Sequence, residues 1–89
     1  MNILFGSSFN KQYSKAIPSI KNAFQLRLNL FMNDYNNSQL HNHPLKGKYK
    51  GLRSINITGD WRALYFEKTE NNQKIITFML FGTHSQLYR

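Results

Sequence analysis

Cysteine is absent and acid is scarce, and the two shortages narrow the chemistry open to this chain of 89 residues. Without cysteine there is no disulfide, no thiolate metal site and no thiol nucleophile. Four Asp+Glu stand against twelve Lys+Arg, a formal charge of +8. Carboxylates so few and so scattered argue against a two-metal nuclease. The cationic surplus sets no fold, but it favours polyanionic partners: nucleic acid, an acidic protein or an anionic membrane. Long apolar runs are missing too. The longest, Ala63 to Phe66 and Phe78 to Phe81, hold four residues each. That is far below the ~20 of a membrane span, so no membrane partner is expected. The opening Met1 to Gly6 lacks the basic end and apolar stretch of a signal peptide, and the expected compartment is the cytoplasm. Phosphate-binding loop, paired-glycine nucleotide fingerprint, nucleophile elbow and His-Glu-x-x-His are all absent, and no cofactor is implied.

What is present suits one small domain over residues 1–89. Apolar residues make up 40% and aromatic residues 15%, enough for a single modest core. A chain this short is marginal alone, so a stabilising partner fits. Residues 2–6 read as a strand, and Ser7-Ser8 offers a helix N-cap. Phe9, Tyr13 and Ile17 then recur on one helical face. Pro18 suits the first turn of a second helix, along which Ile20, Phe24, Leu28, Phe31 and Tyr35 align. The Asn33 to Ser38 stretch ends it with turn residues. Residues 39–50 read as a polar loop. Leu52 to Ile57 and Trp61 to Lys68 read as strands joined by a tight Thr58-Gly59 hairpin, and Lys74 to Phe81 as a third long strand after a looser turn. The expected fold is α+β, in the order β-α-α-β-β-β, with two N-terminal helices packed on an antiparallel sheet.

The stretch from His43 to Tyr65 holds Lys46, Lys48, Lys50, Arg53 and Arg62 against one acid, Asp60. If Thr58 and Gly59 form a two-residue loop, Ile55 faces Arg62. Arg53 and Arg62 are then diagonal neighbours on one face, able to grip one phosphate with two planar forks. The plainer reading makes them surface strand residues, with Arg62 pairing Asp60. A one-residue slip inverts the faces. The three lysines suit an RNA backbone, or simply a solvated loop. His84 lies in the tail Gly82 to Arg89 with Thr83, Ser85 and Tyr88. An imidazole there can trade protons with an attacking or leaving oxygen, or can be plain polar surface. Tyr88 can stack on a base or merely pack. Trp61 suits the core or a groove wall. His41-x-His43 suggests metal, but no third ligand is evident.

Taken in order, several short pieces resemble the RelE superfamily of toxins from bacterial type II toxin–antitoxin systems, nearest its YafQ-like and RelE/StbE branch. They are Phe9-x-Lys11-x-Tyr13-x-Lys15, His43-x-Leu45-Lys46-Gly47, Gly51-Leu52-Arg53, Asp60-Trp61-Arg62-x-x-Tyr65 and Gly82-Thr83-His84-Ser85-x-Leu87-Tyr88. The resemblance implies a microbial-ribonuclease-like fold and metal-independent cleavage of mRNA, commonly in the ribosomal A site. It also implies neutralisation by a cognate antitoxin, with operator DNA reached through that antitoxin. In that pattern the 2′-OH attacks the phosphate, leaving a 2′,3′-cyclic phosphate and a 5′-OH. Carried over residue by residue, His84 matches the general acid and Arg62 the arginine on the scissile phosphate. Tyr88 matches the terminal aromatic, His43 the histidine of its motif, Asp60 the acid before tryptophan and Arg53 a basic strand position. Lys46, Lys48 and Lys50 would hold backbone, with Asn56 and Trp61 in the RNA groove. Two departures stand out. The YafQ pattern has histidine where Asn56 stands and arginine where Leu80 stands. Losing one cation aimed at developing charge costs roughly 10²–10³ in rate. The alternative is therefore a weak or inactive homologue serving as an antitoxin-binding module.

Overall fold

A computed structural model describes residues 1–89. The chain runs β1 (Asn2–Phe5), α1 (Ser7–Ser14), α2 (Pro18–Asn33), β2 (His43–Pro44), β3 (Arg53–Asn56), β4 (Trp61–Glu70), β5 (Gln73–Thr83) and α3 (His84–Leu87). Two short 3-10 turns, Ser38–Leu40 and Gly47–Tyr49, break up the expected loop at 39–50. The two helices and the three-strand meander follow the expected order. No helix is long and apolar enough to cross a membrane.

The sheet order is β1-β5-β4-β3-β2. Its antiparallel character holds from β2 to β5, but β1 lies parallel to β5, with Asn2 beside Ile75, so the sheet is mixed. A pairing between residues so far apart leaves no local signal of direction. The serine cap also fails: Ser7 is already helical and Gly6 is the N-cap, without a side-chain bond. The Gly6 N–H instead donates to Phe78 O at 2.9 Å, so β1 hands over directly to α1 against β5.

Aromatic rings fill the space between helices and sheet. Phe9, Phe24 and Phe31 pack on Tyr65, Phe78 and Phe81, with centroid separations of 5.2–5.8 Å among the contacting pairs. Phe78 and Phe81 are three apart and would face opposite ways on a regular strand. A bulge at Met79 resolves this: Leu64 pairs Leu80 but Tyr65 pairs Phe78. Both phenylalanines therefore enter the core. Asn71 and Asn72, each with positive φ, turn β4 into β5 more tightly than expected.

The β3–β4 register departs from the two-residue hairpin. Asn56 pairs Arg62 and Ile55 pairs Ala63. The loop is one residue longer, closed by the Ile57 N–H on Trp61 O at 2.9 Å. The Thr58 hydroxyl takes the Asp60 and Trp61 N–H groups. The slip turns Arg53, Ile55, Ala63 and Tyr65 toward the helices, where the last three are fully buried. Ser54, Asn56, Arg62 and Leu64 face the other way. The expected Arg53–Arg62 pairing over one anion does not form, because the two side chains leave opposite faces of the sheet.

Candidate active site

On the face away from the helices, β3, β4, the loop before β3 and the tail enclose a groove of about 310 Å³. His41, His43 and Leu45 line one side, Ser54, Asn56 and Arg62 the floor, and His84 and Tyr88 the other. Five sequence candidates thus meet in one place: His43, Asn56, Arg62, His84 and Tyr88. His41, Leu45 and Ser54 join them without having been singled out as site residues. Ser54 could have been found by alternation from Asn56, had the register been known.

Each side chain has a local reason for its position. The tail is ordered by a capping box: the Thr83 hydroxyl accepts the Gln86 N–H, and the Gln86 side chain accepts the Thr83 N–H. The His84 N–H donates to Asp60 O at 2.9 Å, tying the tail to the hairpin. His84 and Tyr88 then stand one turn apart, ring centroids 4.8 Å from each other. Burial raises the Tyr88 phenol above its usual range and the neighbouring Tyr49 phenol adds to this, while Ser54 and Arg62 pull the other way. Tyr88 is therefore held as the neutral phenol, able to donate a hydrogen bond.

Arg62 reaches three carbonyls, Thr58 O and Trp61 O at 3.0 Å and Gly59 O at 3.2 Å. It pairs with no carboxylate; the ion pairs of the chain are Lys68–Glu70 and Lys74–Glu67. Its charge is thus fixed in direction yet uncompensated, as an anion site requires. His43 Nδ1 lies 2.7 Å from His41 O. A carbonyl can only accept, so Nδ1 carries a hydrogen, and in the neutral ring the acceptor is Nε2. Ser54 Oγ and Asn56 Oδ1 are buried without hydrogen-bond partners, open capacity on the groove floor.

The loop bearing both histidines is pinned from behind. Asn42 donates to Tyr35 O at 3.0 Å and to the Tyr65 hydroxyl at 2.8 Å, while its Oδ1 accepts Arg53 Nε at 3.0 Å. Arg53 therefore grips the loop rather than facing the groove. Asp60 is exposed, and its carbonyl rather than its carboxylate meets His84. Lys46, Lys48 and Lys50 are exposed beside the groove without lining it, and Lys48 Nζ donates to Arg89 O at 3.2 Å. Trp61 lies on the helix side, its ring 5.2 Å from that of Phe81. The His41 and His43 rings are 4.8 Å apart, but no group of three His, Asp or Glu converges as metal ligands.

Comparison with known proteins places this geometry. A family model described as "Bacterial toxin of type II toxin-antitoxin system, YafQ" matches residues 1–89. Over 46 residues, 52% of this chain, the sequence is 35% identical to mRNA interferase toxin YafQ of Escherichia coli (strain K12). That match spans about half the length of the curated relative, 46% of it. YafQ from E. coli strain BL21(DE3) superposes with a TM-score of 0.80 at 23% identity, over 99% of this chain and 98% of that one. A chain of the E. coli DinJ-YafQ toxin–antitoxin complex gives 0.75 at 24% identity, over 99% and 97%. The YoeB/ParE toxin from Agrobacterium tumefaciens gives 0.75 at 16% identity, over 94% and 99%. These structures share the fold, and the family match runs the length of the chain. The protein belongs to the YafQ family of bacterial toxins of type II toxin–antitoxin systems.

Proposed function

We propose that this toxin is an endoribonuclease that cuts mRNA on the ribosome and is held inactive by a cognate antitoxin. The observation that carries the reading is the convergence of His43, Arg62 and His84 in one groove. His43 Nε2 takes the proton of the 2′-OH as that oxygen attacks the phosphorus. Arg62 holds the non-bridging oxygens as charge gathers on them. The bond from phosphorus to the 5′-oxygen breaks, and His84 supplies that oxygen with a proton. The products are a 2′,3′-cyclic phosphate and a 5′-OH, and no metal ion is called on. Asn56 and Ser54 offer hydrogen bonds to the sugar or phosphate. Tyr88, neutral as argued, donates beside His84. Lys46, Lys48 and Lys50 hold flanking backbone. Arg53 and Asp60 act as positioning residues, through Asn42 and the His84 N–H.

Primer extension on a reporter mRNA after brief induction tests the assignment. Wild type should produce cuts that follow the reading frame, and His84→Ala should abolish them. Cuts that persist in His84→Ala would move the acid to Tyr88. No cuts by purified protein on translating ribosomes would end the nuclease reading.

One observation favours a second reading, an antitoxin-binding module with weak or no activity. Asn56 stands where the YafQ pattern has histidine, and an amide cannot take a proton at neutral pH. Leu80, where that pattern has arginine, pairs Leu64 across the sheet and supplies no charge. That reading expects tight antitoxin binding and no growth arrest on expression.

A further inference from the structure

A second pocket of about 300 Å³ lies across α3 from the groove, lined by Gln12, Lys15, Trp61, Phe81, Gln86 and Arg89. Its volume is at the lower end of small-ligand sites, ~300–1,000 Å³. The floor is aromatic: the Trp61 ring packs 5.2 Å from Phe81, tilted by 36°. The rim is cationic, since neither Lys15 nor Arg89 belongs to an ion pair. The two amides are oriented. Gln12 Oε1 accepts the Phe81 N–H at 2.7 Å, and Gln86 Oε1 accepts the Thr83 N–H at 2.9 Å. Each glutamine has thus committed its oxygen to backbone and keeps its NH₂ to donate. No Asp or Glu side chain lines the pocket. The side-chain groups it leaves unspent are donors, cations and π-faces, which selects an anionic ligand carrying a flat ring rich in acceptors.

That description fits a nucleotide. Trp61 neighbours Arg62 on β4 but leaves the opposite face, and Gln86 and Arg89 interleave with His84 and Tyr88 along the tail. The pocket and the groove therefore share the start of β4 and α3 as a common wall. We propose that this pocket is a flanking subsite for RNA. One nucleotide next to the scissile position stacks its base on Trp61 and places its phosphate between Lys15 and Arg89. Gln12 and Gln86 donate to the acceptors of the base edge. The subsite rests on the RNA reading above, and it gives the substrate a second grip independent of the reacting groups.

Trp61 is the single tryptophan of the chain, so fluorescence excited selectively from tryptophan reports this pocket. The full chain is titrated with adenosine 3′,5′-bisphosphate, which cannot be cut. Quenching should saturate. Lys15→Ala and Arg89→Ala should each weaken binding by about tenfold, the loss of one charge-assisted contact. Lys68→Ala, which removes an exposed cation far along β4 from this pocket, should leave the titration unchanged. The proposal is overturned by quenching that never saturates, by wild-type affinity in Lys15→Ala and Arg89→Ala, or by inorganic phosphate binding as tightly as the bisphosphate. Quenching by oligoglutamate in place of the bisphosphate would assign the pocket to an acidic protein segment. The readout needs no cleavage. A chain that binds here without cutting RNA fails the nuclease reading alone, and one that cuts RNA with Trp61 unquenched fails the subsite alone.

Discussion

Asn42 should be the costliest polar residue to lose, although it does not line the groove. Its amide is the shared partner of Tyr35 O, the Tyr65 hydroxyl and Arg53 Nε, all at 2.8–3.0 Å. Asn42→Ala strands all three. Tyr65 is fully buried, so its hydroxyl finds no water in exchange. A stranded buried group costs about 1–3 kcal/mol. Arg53 is half-buried and can turn to solvent, which keeps its share below the charged-group value. The sum is about 2–4 kcal/mol. In a domain of this size each kcal/mol moves Tm by ~4–8 °C, so a fall of roughly 10–30 °C is expected. Activity should fall further than stability explains. His41 holds a left-handed φ of 47° and supplies the carbonyl that orients His43. Once Asn42 is gone, that backbone loses its side-chain clamp and keeps only the His41 N–H on Ser38 O and the β2–β3 pairing, and kcat should drop at temperatures where the variant is still folded.

Thermal unfolding followed by circular dichroism gives the first quantity, and single-turnover cleavage of a short RNA well below Tm gives the second. Tyr65→Phe is the control. It leaves Asn42 with Tyr35 and Arg53, and should cost only about 1 kcal/mol with little change in kcat. The double variant closes a thermodynamic cycle, and coupling above about 0.5 kcal/mol is expected for groups in contact. A Tm fall under about 4 °C in Asn42→Ala, with kcat unchanged, would refute the claim that this network holds the histidine loop.

Three further outcomes follow from the same geometry. Arg62→Lys keeps the charge but loses the planar fork that reaches three carbonyls, and should lower kcat by about 10²-fold at similar KM. Asn56→His restores an ionisable group to the groove floor and should raise the cleavage rate; an unchanged rate would show that the substitution at this position is not what limits the enzyme. Burial holds the Tyr65 phenol above its ordinary 10.0. Folding therefore retains a proton that the unfolded chain gives up, so stability should fall as pH rises past about 10 and on through the raised folded-state value. Tyr65→Phe should flatten that alkaline limb in denaturant titrations.

The pieces of this fold that were legible share one property: their signal is local. Phe9 and Tyr13 on one helical face, Pro18 opening α2 and the β-branched run in β5 each announce an element within a few residues. What was not legible depends on how elements meet. Both faces of β4 are apolar near its middle, with Ala63 and Tyr65 on one side and Leu64 on the other. Alternation therefore cannot say which side seeks the helices. The choice is made by loop length at Thr58 and by the bulge at Met79, and neither leaves a compositional mark. The one-residue consequence falls on the site. Arg62 turns into the groove with Asn56, while Arg53 turns inward to hold Asn42. Two arginines that look equivalent as letters thus divide the work, one lining the groove with its charge unpaired by any carboxylate and one turned inward to hold the loop. The histidines were easier to find because they sit where elements end. His84 opens α3 behind a Thr83–Gln86 cap, and His43 follows the left-handed turn at His41. At such ends backbone donors and carbonyls are left over, and here they place the two histidines: the Asp60 carbonyl takes the His84 backbone N–H, and the His41 carbonyl takes the His43 ring hydrogen. A reading that lists charged and aromatic residues finds the members of this groove. Only the register tells which of them face one another.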